Sequence, residues 1–406
     1  MNPYVVMLDP SAFTVPYDDH LCRALVDGGA RVSLWTRPVR RLDYFRRGAS
    51  GSNALGIPYE TVEHFYRISE RMPLVGSWPA AKRGAKACEH VWNMASLCRR
   101  LRRERPDVIH FQWTVVPAID VRFLKRLRQM APCVLTVHDT NAFLAPSSRW
   151  QMAGWDSVLR AFDHLIVHTR AGQRALVARG IEDAKISIIP HGVFDYRPSD
   201  EMAPADSPTE ACVFLSFGSI KPYKGLDVLL EALALLPGEI RRHTRLIIAG
   251  NPGSLEGELR SQAARLGLDD MIEWLLRFIP NDELPALFRR SNSVVFPYRE
   301  IDASGALMTA LPYGKAIIAS RLGLFAELLE SGDTAHLVEA GDPAALADAI
   351  TKVVVDRTAA RQMGQRAAEL CQGVLSWGRI AQLTLSAYRE SASAEQLPSG
   401  QRPTVL

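Results

Sequence analysis

The sequence predicts an α/β protein of two doubly wound domains, each built on a parallel sheet, and three observations support this prediction. Short apolar runs alternate with amphipathic helical stretches along the chain, which is the pattern of consecutive βα units. The pattern occurs once before and once after the polar segment 197–210, which contains three prolines and four acidic residues. A length of 406 residues suits two domains of ordinary size joined by such a linker.

Twelve apolar runs are predicted strands. In the first half they are 5–8, 31–35, 108–111, 134–137, 165–168 and 186–189. In the second half they are 213–217, 245–249, 272–275, 293–296, 316–319 and 336–338. Residues 18–28 are the clearest predicted helix, because Gly28 and Gly29 form a helix-stop signal. Since ligands of doubly wound folds bind beyond the carboxyl ends of the strands, the loops after these runs are where we expect the chemistry.

Composition excludes several classes of protein. The chain is 47% hydrophobic and 23% charged, which is ordinary for a globular protein and unlike a disordered or fibrous one. No apolar run reaches the roughly 20 residues of a membrane helix, and Asp9 interrupts any signal-peptide core. The six cysteines form no CxxC pair and no zinc-ligand spacing. We therefore expect a reduced, cytoplasmic protein.

The net charge of +4 conceals an uneven distribution. Residues 1–200 carry a net charge of +9 and the remainder −5. Basic residues of the first half cluster at positions 37–47, 99–105 and 125–128. Solvated helix faces explain these clusters, and so does attraction to an anionic membrane at the inner face of the plasma membrane. We expect no nucleic-acid partner, because no reader motif accompanies the arginines.

One loop has the residue types of an anion site. Residues 217–227, Phe-Gly-Ser-Ile-Lys-Pro-Tyr-Lys-Gly-Leu-Asp, follow a predicted buried strand and precede a leucine-rich helix. The glycines allow close backbone approach, the lysines supply charge, and the helix start adds the positive end of its dipole. The spacing matches neither a Walker loop nor GxGxxG. A diphosphate suits this loop, and a helix-capping turn with two solvated lysines is the other interpretation.

With this loop in place, the chain resembles the retaining GT-B glycosyltransferases of family 4, also called glycosyl transferases group 1. The segments that carry the resemblance are, in chain order, 189–193, 217–235, 245–250, 278–290, 304–320, 323–327, 341–343 and 376–380. The resemblance covers residues 1–390 and is strongest from 186 to 345. It implies two Rossmann-like domains facing across a cleft, with the acceptor bound by the first and a nucleotide-sugar donor by the second.

The implied domain boundaries follow from the predicted elements and the resemblance. The acceptor-binding domain is predicted at 1–196, the linker at 197–210 and the donor-binding domain at 211–375. Residues 376–390 resemble the terminal helix that returns to the first domain. The small and polar residues 391–406 are predicted to be a disordered tail.

For the donor, the resemblance implies three groups of contacts. The diphosphate would be held by Gly218, Lys221, Lys224, Ser304 and Gly305. The nucleotide base would be framed by Arg277, Phe278 and Ile279. Sugar and ribose contacts would come from Asp302 and Thr309. Because basic residues can neutralise the leaving group and no Asp-x-Asp motif occurs, we predict no cofactor and no required divalent ion.

Two positions depart from the family pattern. Ser219 stands where the family places an arginine after the first glycine of the loop, and Lys221 could reach the same phosphates. The signature helix usually carries two glutamates with seven residues between them, and here those positions hold Ile301 and Thr309. Glu300, one position away, is the leading carboxylate for the sugar, and a solvated loop acid is its other interpretation.

His138 is the second predicted catalytic residue. It ends the predicted strand 134–137, where a hydrogen-bonded histidine of purely structural role is equally natural. The resemblance implies that this histidine faces the donor sugar. His110 and His168 also lie at strand ends and are interpreted as structural, whereas His191 is interpreted as shaping the turn at the hinge.

These observations predict a retaining, metal-independent hexosyltransferase. It would move a sugar from a nucleotide-diphosphate sugar to a polysaccharide or lipid-linked acceptor, in bacterial exopolysaccharide or surface-glycan synthesis. The main alternative is a non-catalytic GT-B-like partner that binds a nucleotide sugar or scaffolds another transferase, which Ser219 and Thr309 favour. A sugar-nucleotide epimerase is a third hypothesis, for which we find no convincing pair of carboxylates suited to proton transfer.

Overall fold

The structure is a computed structural model that describes residues 2–38, 56–71, 79–140, 153–197 and 211–395. The chain divides into two compact units, the first formed by residues 1–190 with residues from 377 onward, the second by residues 191–376. Most of the arginine cluster at 37–47, the linker residues 198–210 and the tail residues 396–406 lie outside the described residues.

The first unit contains a seven-stranded sheet. All its strand pairs are parallel, and the order is β3-β2-β1-β4-β5-β6-β7. The strands are β1 Tyr4–Asp9, β2 Arg31–Thr36, β3 Glu60–Glu63, β4 Val108–Phe111, β5 Cys133–Val137, β6 His164–Val167 and β7 Ile186–Ile188. The helices are α1 Val15–Asp27, α2 Pro79–Glu104, α3 Pro117–Leu127, α4 Trp155–Ala161 and α5 Arg170–Ala178.

The second unit contains a six-stranded sheet with the order β10-β9-β8-β11-β12-β13. Its strands are β8 Cys212–Phe217, β9 Thr244–Ala249, β10 Ile272–Leu275, β11 Ser293–Phe296, β12 Ala316–Ser320 and β13 His336–Val338, all in parallel pairs. The helices are α6 Leu226–Ala234, α7 Gly238–Arg242, α8 Glu256–Arg265, α9 Leu284–Arg290, α10 Gly305–Ala310, α11 Gly323–Leu328, α12 Pro343–Val355 and α13 Arg357–Glu369.

A last helix, α14 Trp377–Glu395, belongs to the first unit and packs against α1. The Tyr388 hydroxyl lies 2.7 Å from Nδ1 of buried His110, and Trp377 packs edge-on against Tyr17. The sequence analysis ended this helix at 390 and began a disordered tail at 391. That tail is wrong for residues 391–395, because the Ser391 hydroxyl donates to the Tyr388 carbonyl inside the continuing helix.

The twelve predicted strands are confirmed within one residue at each end, because each is an apolar run that the sheet buries. β3 was missed. It is an edge strand in which only Val62 is buried, so it carries no apolar run to indicate it. None of the described helices is both long and apolar enough to cross a membrane.

Each unit has its own hydrophobic core. The first is built around side chains such as Trp35, Phe65 and Phe111, and the second around Phe214 and Leu229. In both sheets the parallel strands end at one common edge, so the loops that follow β1, β4 and β5 lie together in the first unit. The loops that follow β8, β9 and β11 lie together in the second.

Candidate active site

In the second unit, the loop between β8 and α6 is bound to the ends of two neighbouring strands. The Gly218 N–H donates to the Ala249 carbonyl, which ends β9, and the Ile220 N–H donates to the Asn251 carbonyl. A short 3-10 helix, Pro222–Lys224, then leads to Gly225, whose φ is +66°. A Cβ at this position would overlap the Pro297 carbonyl oxygen, just beyond β11, so only glycine allows this approach.

Lys224 is the central cation of this loop. Its Nζ lies 5.2 Å from the centre of the Tyr298 ring. The same Nζ lies close to Gly218, where an added Cβ would be 3.3 Å from the amine. Among the described residues no acid pairs with this amine. Burial, with a smaller contribution from Lys221, lowers the pKa of Lys224 to about 8. A desolvated ammonium without a carboxylate partner is suited to an anionic ligand.

Lys221, the second predicted phosphate contact, is exposed, three residues before Lys224. It therefore offers a flexible charge at the rim of the loop, whereas Lys224 is held in place. Ser219, which replaces the family's arginine, is exposed as well. The two lysines thus differ in environment: Lys224 is half-buried and desolvated, whereas Lys221 is exposed.

A residue that the sequence analysis missed, Arg299, fixes this loop. It makes a bidentate ion pair with Asp227 in the first turn of α6, with Nη2–Oδ2 and Nη1–Oδ1 distances of 2.5 Å and 2.7 Å. The backbone N–H of Arg299 also donates to the Tyr223 carbonyl, and the side-chain Nη1 donates to the Pro222 carbonyl. Arg299 lies just beyond the buried strand β11. Its position after a strand end is the sequence signal that could have identified it as a residue of the site.

The predicted phosphate contact at Ser304 and Gly305 is a helix start. The Ser304 Oγ accepts a hydrogen bond from the Leu307 N–H, capping α10. Gly305 is exposed and Ser304 is buried. The first backbone N–H groups of a helix have no partner within it, which leaves those of Gly305 and Ala306 available to a ligand.

Thr309, the predicted ribose contact, is buried, and its hydroxyl donates to the Gly305 carbonyl one turn earlier. The oxygen can therefore only accept a further hydrogen bond. Glu300 is exposed in the loop after β11, and Asp302 is half-buried. The same loop is held where the Ile301 carbonyl approaches Gly323, at a distance that no Cβ would allow.

The predicted base-framing residues have unequal positions. Phe278 is 46% exposed, which leaves a ring face for stacking, whereas Ile279 is buried. Arg277 makes a bidentate ion pair with Glu283, 2.5 Å for Nη2–Oε2, and donates to the Phe278 carbonyl. Phe278 is thus more accessible than Ile279, and the framing of a base by this segment stays a prediction.

In the first unit, His138 lies just beyond β5 in a chain of side-chain contacts. Its Nδ1 lies 3.1 Å from Nε2 of His168, and its Nε2 lies 2.9 Å from Oε1 of Gln112. Nδ1 of His168 lies 3.0 Å from the Ile189 carbonyl oxygen, which can only accept, so this nitrogen carries the proton. Burial lowers the pKa of His168 to about 4, so its ring is neutral near pH 7.

This chain of contacts sets the tautomer of His138. A neutral His168 that donates from Nδ1 must accept at Nε2, so the Nδ1 of His138 is the donor between the two rings. The Nε2 of His138 makes its own contact with the side-chain amide of Gln112, at 2.9 Å from Oε1. Contacts at both ring nitrogens therefore fix the orientation of the His138 imidazole.

Among the residues that the structure describes, no group of three or more His, Cys, Asp or Glu side chains could hold a metal ion. Glu300 and Asp302, the nearest acidic pair in the sequence analysis, belong to no such group. The predicted metal independence stays a prediction.

Comparison with known proteins identifies the family. Residues 19–195 match the model described as Glycosyltransferase Family 4, and residues 199–370 match the model described as Glycosyl transferases group 1. A D-inositol 3-phosphate glycosyltransferase of Corynebacterium efficiens is 30% identical over 310 residues, 71% of this chain and 72% of that protein. The chain belongs to this family of glycosyltransferases.

A second relative covers more of this glycosyltransferase. The D-inositol 3-phosphate glycosyltransferase of Acidothermus cellulolyticus is 27% identical over 415 aligned positions, which span 95% of this chain and 87% of that protein. The family resemblance read from the sequence is thus confirmed. The predicted contacts at individual residues are not tested by these matches and stay predictions.

Solved structures show the same fold. Sucrose-phosphate synthase from Thermosynechococcus elongatus has a TM-score of 0.73 and 18% identity, covering 97% of this chain and all of that one. HepE of Anabaena, solved in complex with UDP and glucose, has a TM-score of 0.68 and 19% identity, covering 96% of this chain and all of that one. Together with the two parallel sheets, these likenesses confirm the predicted GT-B fold of this glycosyltransferase.

Proposed function

We propose that this glycosyltransferase moves a sugar from a nucleotide-diphosphate sugar to a glycan or lipid-linked acceptor, with retention at the anomeric carbon and without a metal ion. The observation that carries the proposal is Lys224, a half-buried and desolvated amine with no acid partner among the described residues, held beside the Gly218 backbone. HepE was solved with UDP-glucose, and a donor of this class suits the same loop here.

The chemistry requires a positive environment for the leaving group. As the bond from the anomeric carbon to the diphosphate oxygen breaks, negative charge grows on the diphosphate, next to Lys224 and Lys221. The acceptor oxygen forms the new bond to the anomeric carbon, and its proton passes to the departing phosphate oxygen. In this proposal His138 contacts the donor sugar, and Glu300 binds a sugar hydroxyl.

The donor is tested by thermal shift with UDP-, GDP-, ADP- and dTDP-sugars. We expect one of these nucleotides to raise the Tm of the wild-type protein, and Lys224→Ala to lower its affinity by 10-fold or more, as befits loss of a desolvated charge. Lys352→Ala, an exposed lysine of α12, is the matched control and should bind like the wild type. Failure of all four nucleotides to bind would refute the proposal.

Retention and metal independence have direct tests once the donor is identified. The anomeric configuration of the product, read by NMR, should equal that of the donor sugar, and an inverted product would contradict retention. Activity should persist after treatment with a chelator, because cationic side chains perform the neutralisation. A role in bacterial exopolysaccharide or surface-glycan synthesis predicts that transferred label appears in polymer or in organic-extractable glycan lipid.

Attachment to an anionic membrane is a further part of the proposal. Arg99 and Arg102 of α2 and Arg126 of α3 are exposed on two helices that pack against each other, and all three oppose the rise that burial gives the pKa of the Cys98 thiol. Each cation near an anionic surface contributes on the order of 1 kcal/mol. Vesicles with anionic lipid should bind the wild type at low salt, and the double variant R99E/R102E should lose binding.

The matched control for this membrane test is the double variant R242E/R265E, which replaces two exposed arginines in the second unit. It removes the same charge from a different place and should leave vesicle binding unchanged. Equal binding to neutral and anionic vesicles would contradict the proposal.

A non-catalytic nucleotide-sugar-binding partner is the second candidate, favoured by the exposed Ser219 where the family has arginine. It predicts nucleotide binding without transfer to any acceptor. Release of free nucleotide diphosphate in the presence of an acceptor fraction decides between the two.

A further inference from the structure

The loop that follows β1 presents an aromatic side chain to solvent from a rigid support. Phe13 is 67% exposed, although it is a large apolar residue. The preceding Ala12 has φ of +53°, a conformation that a non-glycine residue keeps only where its surroundings impose it. The ring meets Trp113 edge to face and otherwise leaves a large apolar surface exposed on a strained loop, which points to a ligand.

The support of this loop is the buried carboxylate of Asp9 at the end of β1. Its Oδ1 accepts hydrogen bonds from the Ser11 N–H, the Ser11 hydroxyl and the Ala12 N–H at 3.0, 2.8 and 2.8 Å. Its Oδ2 accepts a longer one, 3.4 Å, from the Thr14 N–H. The backbone on both sides of Phe13 is thus held by Asp9. This fixes the position of the loop that carries the ring before a ligand binds.

A second aromatic ring continues the surface. Trp113, in the loop after β4, meets Phe13 edge to face, with ring centres 5.6 Å apart and planes at 89°. Its indole N–H donates to the Thr14 hydroxyl oxygen at 3.0 Å, which sets the orientation of the ring. Trp113 is half-buried, so part of its surface remains accessible.

The far side of Trp113 reaches the predicted catalytic histidine. The indole and the His138 imidazole are stacked, with ring centres 5.3 Å apart and planes at 18°. Phe13, Trp113 and His138 therefore form a continuous row of rings, called here the aromatic row. A ligand bound at the Phe13–Trp113 end of the aromatic row would lie near His138, the residue that the proposed function assigns to the donor sugar.

We propose that Phe13 and Trp113 form a stacking subsite that holds one neutral sugar ring of the acceptor. A pyranose ring has a face of C–H groups that packs on the electron-rich face of an aromatic ring, and hydroxyls around its rim. The hydroxyls of Ser11 and Thr14, both half-buried, lie in the same loop to meet that rim. A lipid chain binds best in an extended apolar groove. This surface consists of two aromatic rings beside polar residues, and it therefore suits a sugar better than a lipid.

The inference rests on the proposed function for its substrate, but its binding test does not need a donor. The probes are methyl β-D-glucopyranoside, methyl β-D-galactopyranoside and methyl α-D-mannopyranoside, observed by saturation-transfer-difference NMR. At least one should bind the wild type, with the strongest transfer to ring C–H protons. Phe13→Ala should weaken that binding about 3- to 10-fold, the usual range for one aromatic stacking contact.

Two variants keep the result specific. Phe13→Tyr retains a ring and should bind the sugar like the wild type, whereas Trp92→Ala removes an equally exposed aromatic from α2 and should change nothing. If no methyl glycoside binds the wild type, or if Phe13→Ala binds as well as the wild type, the subsite is overturned. Binding of farnesyl phosphate that Phe13→Ala abolishes, without sugar binding, would overturn it in favour of a lipid.

The nucleotide thermal shift separates this inference from the proposed function. Phe13→Ala should leave the nucleotide-induced rise in Tm unchanged, because the donor loop belongs to the other unit. Sugar binding without nucleotide binding would refute the proposed function and leave the subsite standing. With the donor known, Phe13→Ala should raise the acceptor KM by the same factor while kcat changes less.

Discussion

Arg299 and Asp227, which are 72 residues apart in sequence, join the end of β11 to the first turn of α6 through two parallel N–H···O bonds. Both side chains are about 40% exposed, so the pair itself adds little to the free energy of unfolding. Its effect is on geometry. Arg299 also donates to the Tyr223 and Pro222 carbonyls. These hydrogen bonds attach the loop that carries Lys224 to the end of β11.

The first prediction concerns this pair. Arg299→Ala should weaken donor binding about 5- to 10-fold, because the loop then has to be ordered by the ligand. The Tm should fall little, since an exposed ion pair contributes about 0–1 kcal/mol. Titration calorimetry with the cognate nucleotide measures the effect. Arg260→Ala, which breaks an exposed pair with Glu256 on α8, is the control and should bind normally.

A second prediction concerns Gly225. Gly225→Ala should abolish donor binding and lower the Tm, because the new Cβ would overlap the Pro297 carbonyl oxygen and the backbone has φ of +66°. We expect the free energy of unfolding to fall by about 1–3 kcal/mol, the usual cost of such backbone strain. Gly238→Ala introduces the same methyl where no atom lies within 4 Å and should be neutral. Equal stability of the two variants would contradict the argument.

The pH dependence of donor binding follows from Lys224. Its pKa in the free protein is about 8, below that of an ordinary lysine, so the amine is charged at pH 7 and loses its proton as pH rises through 8. A bound diphosphate favours the charged form. The donor Kd should therefore be flat below about pH 7, begin to rise near pH 8 and increase above it by up to about 10-fold per pH unit.

Lys224→Arg is the control for this pH dependence, because a guanidinium stays charged throughout the range. If it binds at all, its Kd should not change between pH 7 and pH 9. A wild-type Kd that stays constant over the same interval would exclude Lys224 as the phosphate contact.

His168 is predicted to be a positioning residue that acts through His138. His168→Ala removes the acceptor of the His138 Nδ1–H, so the imidazole loses its fixed tautomer. We expect kcat to fall about 10-fold or more, with the nucleotide Kd unchanged and the acid limb of the pH–rate profile displaced. His168→Gln supplies an oxygen that can accept the same hydrogen bond and should restore part of kcat. A change in Tm without a shift in the pH profile would indicate a purely structural role.

Acid stability of the first unit should depend on two buried histidines. Burial lowers the pKa of His168 to about 4 and that of His110 to about 3, against about 6.5 in the unfolded chain. Between these values the unfolded chain binds more protons, so stability is complete above pH 6.5 and is lost as pH falls toward 4. The loss should reach roughly 3 kcal/mol for His168 alone. Denaturant unfolding of His168→Gln should show a smaller dependence on pH in this range.

The extent to which the sequence predicted the fold depended on burial. Strands such as β5 and β12, fully buried in parallel sheets, were confirmed because burial of both faces requires an apolar run. β3 was missed because an edge strand needs only one buried side chain, Val62. The helix end at Glu395 was missed because small polar residues are read as disordered, yet they continue a helix that is already packed.

The site divides along a similar line. Lys224 was predicted from its loop, since a cation between two glycines before a helix has a local signature. Arg299 was not predicted, because its position beyond a strand end is a weak signal and its partner Asp227 lies in a different part of the chain. His168 was interpreted as structural, and its bond to His138 depends on how β5 and β6 lie side by side.

The sequence by itself therefore determined the order of βα units, the two-domain GT-B fold and the family, because periodic burial and short motifs are written locally. Only the tertiary structure decided which side chains meet at the strand ends. It desolvated Lys224 without an acid among the described residues, anchored its loop through Arg299, and placed Trp113 on His138. The physical reason is that electrostatic environment and ring contacts depend on distances in space between residues that are far apart in sequence.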